Sequence, residues 1–278
     1  RYTPTINEGR AYLISSHGVV CSLDAETGAL LWQRDVAKDF GGTAPAMGFA
    51  ESLLIDGERL IVTPGGPDAS VVALNKANGE TIWASKGLSD QSAYCSPILI
   101  ERGGTRLIVA LVTATLAGLD PETGTVVWRT PFDEAEELQN HAVAPVYADG
   151  FLYATSGHRK GGVMYELSAD GKQITHRWAD ETLNNHHGGL IFRGGHLYGS
   201  TMNGRWVCLS ASDGAVKWED RGVGKGSITV ADGLAYCYSE KGTLGLARMS
   251  PDGFQAISEF DVELGEGVHW AHPSIADG

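Results

Sequence analysis

No run of apolar residues in this 278-residue chain approaches the ~20 that a membrane-spanning helix needs. Basic residues are scarce: 21 Lys and Arg stand against 34 Asp and Glu, a formal charge of -13. A surface of that sign repels phosphate backbones and anionic lipid, which argues against nucleic acid or a membrane face as a main partner. There are only four cysteines, Cys21, Cys95, Cys208 and Cys237. None adjoins another or forms a Cys-x-x-Cys pair, so zinc knuckles, redox motifs and Cys-x-x-Cys-His haem attachment find no support. Each lies in a strand-like run, where it reads as a small buried hydrophobe. Glycine-rich phosphate cradles, serine nucleophile elbows and zinc-protease motifs are also missing. With 20% charged and 42% hydrophobic residues, the chain is globular.

What the chain has in abundance is glycine, 37 residues of it, and one recurring phrase. "LDAETGALLW" (23–32) returns as "LNKANGETIW" (74–83), "LDPETGTVVW" (119–128) and "LSASDGAVKW" (209–218). Each couples a strand-like Leu to a tight turn that Asp or Asn and Gly favour, then a second strand ending in Trp. The phrase closes at Trp32, Trp83, Trp128, Trp178 and Trp218, with Phe260 in the sixth place, at intervals of 40 to 51 residues. A second phrase precedes each one, as in "SLLIDGERLI", "APVYADGFLY" and "SITVADGLAY": a strand, a turn of Asp-Gly type, and another strand. Apolar residues alternate or run continuously rather than at 3.6 spacing, which excludes helical repeats. A four-stranded unit of ~40–50 residues is the blade of a β-propeller. The predicted fold is therefore all-β, one propeller domain over 1–278. Its blades run about 1–36, 46–86, 92–132, 140–180, 185–220 and 224–262, and 269–278 is the first strand of a further blade. The closing Trp is expected to wedge between neighbouring blades.

The pattern of Asp, Thr-Gly and Trp at fixed places resembles the pyrroloquinoline-quinone-type (quinoprotein alcohol dehydrogenase-like) β-propeller repeat. The resemblance covers essentially the whole chain. It is strongest at 23–32 and 119–128 and degraded at 167–178 and 246–260. A WD-type propeller fits less well, because paired Gly-His and Trp-Asp signals are missing. Six whole units and the opening of a seventh predict an arc of a larger propeller, of eight blades as the resemblance implies, with missing blades or a partner closing the ring. The resemblance implies a periplasmic or extracellular place in the cell envelope. It also implies two kinds of function: non-enzymatic scaffolding, as in the propeller lipoprotein of outer-membrane barrel assembly, or quinone-dependent oxidation.

In a propeller the loops leading into the inner strands converge on one face, so several blades can each offer one side chain to a common point. With the Asp-Gly turn as ruler, His141, His186 and His269 fall at equivalent lead-in positions, two of them after Asn140 and Asn185. Tyr94, His187, Lys225 and Trp270 occupy the next position, and His272 lies nearby. Imidazole is the commonest protein metal ligand, so His141, His186 and His269 are the candidate metal ligands. Tyr94, Asn140, Asn185, His187, Lys225, Trp270 and His272 are the candidate ligand-binding residues, the aromatic ones suited to stacking. The alternative is that these histidines hydrogen-bond loop backbone around a water-filled channel. The quinoproteins resembled here hold their cofactor with a vicinal disulfide, a stacking Trp and a Glu/Asn/Asp set on calcium. No adjacent cysteines exist in this chain, and only Asn140, Asn185 and Trp270 imitate parts of that set. The sequence therefore points away from pyrroloquinoline quinone and toward a metal ion at the axis as the cofactor to seek. The favoured function is a non-enzymatic binding or scaffold propeller, engaging a protein partner or small ligand through axis-facing loops. The alternatives are an oxidoreductase with quinone or metal at the axis, and a sensor module fused to other domains. Three loops stand out: "SGHRKGG" (156–162) as a solvated hairpin tip, "FDEAEELQ" (132–139) as an acidic surface turn, and "DFGGTAPAMGFAES" (39–52) as a lining of one face.

Overall fold

The computed structural model describes residues 3–132, 140–158, 160–263, 265 and 267–276. Residues 133–139, most of the run expected to form an acidic surface turn, lie outside them. The described residues form six antiparallel sheets of four strands, each in simple up-and-down order. The first runs from β1 (Thr5–Asn7) to β4 (Leu30–Asp35), the second from β5 (Leu54–Asp56) to β8 (Thr81–Ala84), and the third from β9 (Ile98–Arg102) to β12 (Val126–Pro131). The fourth runs from β13 (Val146–Ala148) to β16 (Ile174–Asp180), the fifth from β17 (Leu190–Arg193) to β20 (Val216–Asp220), and the sixth from β21 (Gly226–Ala231) to β24 (Gly253–Asp261). One short helix, α1 (Val36–Phe40), starts on Asp35, whose carboxylate accepts from the Lys38 amide, and stops at Gly41 with φ 65.

The chain divides into two compact units, Arg1–Pro145 with Leu167–Thr175, and Val146–Glu166 with His176–Gly278. In the first, β1 lies beside β5 and β5 beside β9; in the second, β13 lies beside β17 and β17 beside β21. First strands are thus neighbours in each unit, as blades fanned about an inner edge require. Apolar layers fill the gaps between sheets. Tyr12, Ile14 and Val20 meet Leu60, Val62 and Val72 in the first unit, and Trp206 meets Ile228 and Cys237 in the second. All four cysteines are free; Cys95, Cys208 and Cys237 are buried and Cys21 is half-buried.

The recurring phrase has a local and a long-range role. Locally, the Asp24 carboxylate accepts from the Thr27 amide at 2.7 Å and its hydroxyl at 2.6 Å, and Asp120 does the same for Thr123. These side-chain bonds replace backbone partners in the turn. At long range, each Trp indole N–H donates to a backbone carbonyl in the corresponding turn of the next sheet. In the first unit Trp32 reaches Lys76 at 3.0 Å, Trp83 reaches Pro121 at 2.9 Å and Trp128 reaches Gly171 at 3.2 Å. In the second, Trp178 reaches Ala211 at 3.0 Å and Trp218 reaches Ser250 at 2.7 Å. The turn glycine is needed twice over. Gly79 has φ 77, and a Cβ there would stand 2.8 Å from the Trp32 ring. Gly124 meets Trp83 still more closely, and a Cβ on Gly214 would stand 2.9 Å from Trp178. The expected wedge is therefore a staple of defined parts: an indole, its carbonyl acceptor and a bare glycine beneath the ring.

The run 269–276 lies along β21 through side chains rather than a backbone ladder. Ser227 Oγ donates to the Ala271 carbonyl at 2.9 Å and Thr229 Oγ1 to that of Pro273 at 2.8 Å. Pro273 has no N–H to give a ladder.

Candidate functional site

Within the second unit, the loop leading into β17, the loop leading into β21, the turn after β22 (Leu234–Ser239) and the run 268–273 meet. Backbone geometry forces the approach. Gly188 accepts from the Ile228 amide at 3.0 Å, and a Cβ on Gly188 would collide with the Gly226 carbonyl. Asn185, wholly buried, accepts from the Gly188 amide at 2.9 Å and donates to the Gly189 carbonyl at 2.9 Å, so it locks the loop carrying His186 and His187. The Glu240 amide donates to Lys225 O at 2.8 Å, and the His269 amide donates to Glu240 O at 3.0 Å.

One carboxylate oxygen organises the cluster. Glu240 Oε1 accepts from Lys225 Nζ at 2.8 Å, from Trp270 Nε1 at 2.7 Å and from His187 Nε2 at 3.0 Å. Lys225 Nζ also donates to His186 Nδ1 at 3.0 Å. These partners assign the tautomers: both imidazoles carry their proton on Nε2. His187 Nδ1 is buried with no hydrogen-bond partner among the described residues. Burial, with the Lys225 ammonium beside it, pushes His186 down to about 4; burial lowers His187 too, against the opposing hydrogen bond to Glu240. Burial would raise the Glu240 carboxyl, but the bonds from Lys225, His187 and Trp270 outweigh it and bring it to about 2. At neutral pH the centre is an ion pair flanked by two neutral imidazoles. The His186 ring stands 5.0 Å from His187, 5.0 Å from exposed His158 and 5.9 Å from Trp270. His158, in the run 156–162 read as a solvated tip, is exposed and also touches the cluster. An open cleft of about 450 Å³ adjoins, with Lys225, Glu240, Arg221, Lys241 and Glu259 in its lining.

The residues singled out in the sequence separate into three groups. His186, His187, Lys225 and Trp270 come together as described. His269 and His272 flank them with partners of their own: His269 Nδ1 pairs with the Tyr238 hydroxyl at 2.5 Å, and His272 Nε2 donates to the His187 carbonyl at 3.1 Å. His141, Asn140 and Tyr94 belong to the first unit. There His141 is wholly buried, donates from Nε2 to the Thr113 carbonyl at 2.8 Å and stands edge-on to Phe132 at 5.0 Å. Its carbonyl accepts from the Tyr94 amide at 2.9 Å, and the Tyr94 hydroxyl accepts from the Met47 amide at 3.1 Å. Asn140 is half-buried. Among the described residues, the set whose ligand atoms lie within 4.8 Å of one another is His186, His187 and Glu240, and it does not include His269. Sequence reasoning missed Glu240, because "SEKG" after β22 reads as an ordinary hairpin tip. In the loop 39–52, Phe49 and Glu51 are buried, whereas Asp39, Thr43, Ala44, Ala46 and Met47 are exposed.

The centre does not suit the quinone of the resembled enzymes. The cysteines are free and far apart in the chain, Cys21, Cys208 and Cys237 on separate strands and Cys95 in the loop before β9 rather than in the strand expected of it, and an ammonium stands among imidazoles where a Glu/Asn/Asp set would hold calcium.

The family model described as outer membrane protein assembly factor BamB matches residues 2–219 and 159–256. Among curated relatives, quinoprotein alcohol dehydrogenase PedH of Pseudomonas putida (strain KT2440) is 24% identical over 238 residues, covering 77% of this chain and 38% of that protein. Outer membrane protein assembly factor BamB of Yersinia pestis is 25% identical over 227 residues, covering 77% of this chain and 51% of that protein. The chain thus spans about half or less of the length of these relatives. The crystal structure of BamB from Moraxella catarrhalis matches with a TM-score of 0.69 at 20% identity, over 94% of this chain and 76% of that one. That likeness shows the fold, a β-propeller of four-stranded antiparallel blades. The chain belongs to the pyrroloquinoline-quinone-type β-propeller repeat family represented by outer membrane protein assembly factor BamB.

Proposed function

We propose that this chain is a non-enzymatic binding or scaffold propeller that engages a protein partner in the cell envelope, periplasmic or extracellular, through its lead-in loops. The observation that carries this reading is the match over 2–219 to the family model of outer membrane protein assembly factor BamB. The loops themselves support it. Trp270, 44% exposed, stands beside the Lys225–Glu240 ion pair, Val268 two residues before it is 63% exposed, and Met47 is 55% exposed on a lead-in loop of the first unit. An exposed Trp rimmed by paired charges is the composition of an interface hot spot. Of the residues singled out in the sequence, His187, Lys225, Trp270 and His272 sit on these loops in the second unit, Tyr94 and Asn140 on loops of the first. Site-specific photo-crosslinking from position 270 in envelope fractions tests the reading. The expected result is one dominant protein adduct that a Val268→Asp variant loses. Crosslinks that scatter or survive that change overturn it.

The second reading, an oxidoreductase with quinone or metal at the axis, draws on the likeness to quinoprotein alcohol dehydrogenase PedH. Reconstitution with pyrroloquinoline quinone and calcium separates the two: saturable quinone absorption with alcohol-dependent dye reduction would reverse the assignment.

A further inference from the structure

We propose that His186, His187 and Glu240 form a transition-metal site which the Lys225 ammonium occupies as a resident cation and yields when metal binds. Two imidazole nitrogens and a carboxylate oxygen lie within 4.8 Å of one another. Two nitrogens and one oxygen suit zinc, nickel or copper(II) better than calcium or magnesium, and three protein ligands leave a coordination position for water.

The position of Lys225 is the distinctive observation. Its Nζ contacts two of the three ligand atoms, His186 Nδ1 at 3.0 Å and Glu240 Oε1 at 2.8 Å. A positive charge already stands where a metal would. The His186 Nδ1 lone pair points at that charge and needs no rearrangement to meet a metal. His187 presents Nε2–H to Glu240, so coordination requires its proton to move to Nδ1. That nitrogen is buried and has no partner among the described residues, so the change of tautomer breaks no second hydrogen bond. The balance is simple: the ammonium leaves with its charge, the His187 proton passes from Nε2 to Nδ1, and no proton is lost. Trp270 Nε1, on Glu240 at 2.7 Å, continues to orient the carboxylate.

The departing side chain has somewhere to go. Lys225 follows Gly224, around which no other group lies within 4 Å of a built Cβ, and the cleft of about 450 Å³ includes Lys225, Glu240 and Glu259 in its lining. A flexible four-carbon stem can swing its ammonium into that cleft, which is also the route by which metal reaches the carboxylate. His158, edge-on to His186 at 5.0 Å, stands outside the ligand set.

Isothermal titration calorimetry of the chelator-stripped chain with zinc and nickel tests the site. One equivalent is expected to bind. Lys225→Met removes the competing cation and should tighten binding about tenfold or more. His187→Ala and Glu240→Gln should each weaken it about tenfold or more, and His158→Ala should change little. Equal affinity in wild type and Lys225→Met overturns the proposal, as does an absence of binding in both. Binding that survives His187→Ala but is lost in His158→Ala assigns the metal to surface histidines and also overturns it. Should His187→Ala fail to fold, cobalt substitution of the Lys225→Met variant decides. Visible d–d bands of a tetrahedral or five-coordinate ion support the site, and the spectrum of the hydrated ion sinks it. The outcome is independent of the partner crosslink, so either reading can fail alone.

Discussion

The seams between neighbouring sheets and the loops that lead into the first strands are built from the same repeats, yet the two regions use them in opposite ways. At a seam, each blade solves one packing problem and passes the solution on: Trp83 bonds to the Pro121 carbonyl over Gly124 as Trp32 bonds to that of Lys76 over Gly79. In the lead-in loops each blade contributes something different. His186 and His187 come from one loop, Lys225 from the next, Glu240 from a turn and Trp270 from the run beyond β24. A seam needs recurrence because the same two faces meet each time. A binding cluster needs difference, because several donors and acceptors must complement one another at one point. Phe260, in the sixth place of the phrase, marks the boundary between the regimes: it is 61% exposed and has no indole N–H to give.

The largest test of the comparison is at a seam. Trp83→Ala should cost about 3–5 kcal/mol, read as a lowered urea midpoint; a loss below about 1 kcal/mol would deny the staple its role. Next, Gly124→Ala combines strain at φ 70 with a collision against the Trp83 ring and should cost about 3 kcal/mol. Gly28→Ala carries the same strain at φ 72 with nothing within 4 Å and should cost about 1 kcal/mol. Equal losses at the two glycines would mean that ring contact adds nothing.

The lead-in loops predict a different behaviour, dependence on pH. Glu51, wholly buried before β5, accepts from the Thr63 amide at 2.9 Å and hydroxyl at 2.8 Å, yet burial pushes its carboxyl up to about 7. The folded state therefore holds this proton more tightly than the unfolded state. Its contribution is most favourable below about 4.5, declines as pH rises toward about 7 and then levels off. Glu51→Gln should remove that decline, gaining about 3 kcal/mol over wild type at pH 8 relative to pH 4.5 in paired urea titrations. A constant difference across the range would count against the buried-acid account. Glu240 has the opposite sign, held down to about 2, so its contribution is present above about 4.5 and is lost only as pH falls toward 2. Glu240→Gln, half-exposed, should cost about 1 kcal/mol at neutral pH, the smallest effect here.

Reading the sequence found the seams because a turn of Asp, Thr and Gly followed by Trp is a local device with a fixed spacing, repeated until its period is visible. The lead-in positions were found by the same ruler, and four of the residues they singled out, His186, His187, Lys225 and Trp270, do meet. Glu240 escaped the ruler because its turn has no counterpart in the alignment of lead-in loops. His141 and His269 occupy equivalent places in the repeat but take local partners, the Thr113 carbonyl and the Tyr238 hydroxyl. Equivalence in the repeat fixes where a backbone segment lies and leaves open which partner its side chain finds.

The sequence by itself determined the blade, its turns and the residue that joins one blade to the next, because all three depend on contacts at short or constant separation along the chain. Only the tertiary structure decided that a lysine ammonium stands between a histidine and a glutamate, since that pairing joins segments whose separation repeats nowhere else. Its partners are chosen by distance and burial in space, which no periodic pattern encodes.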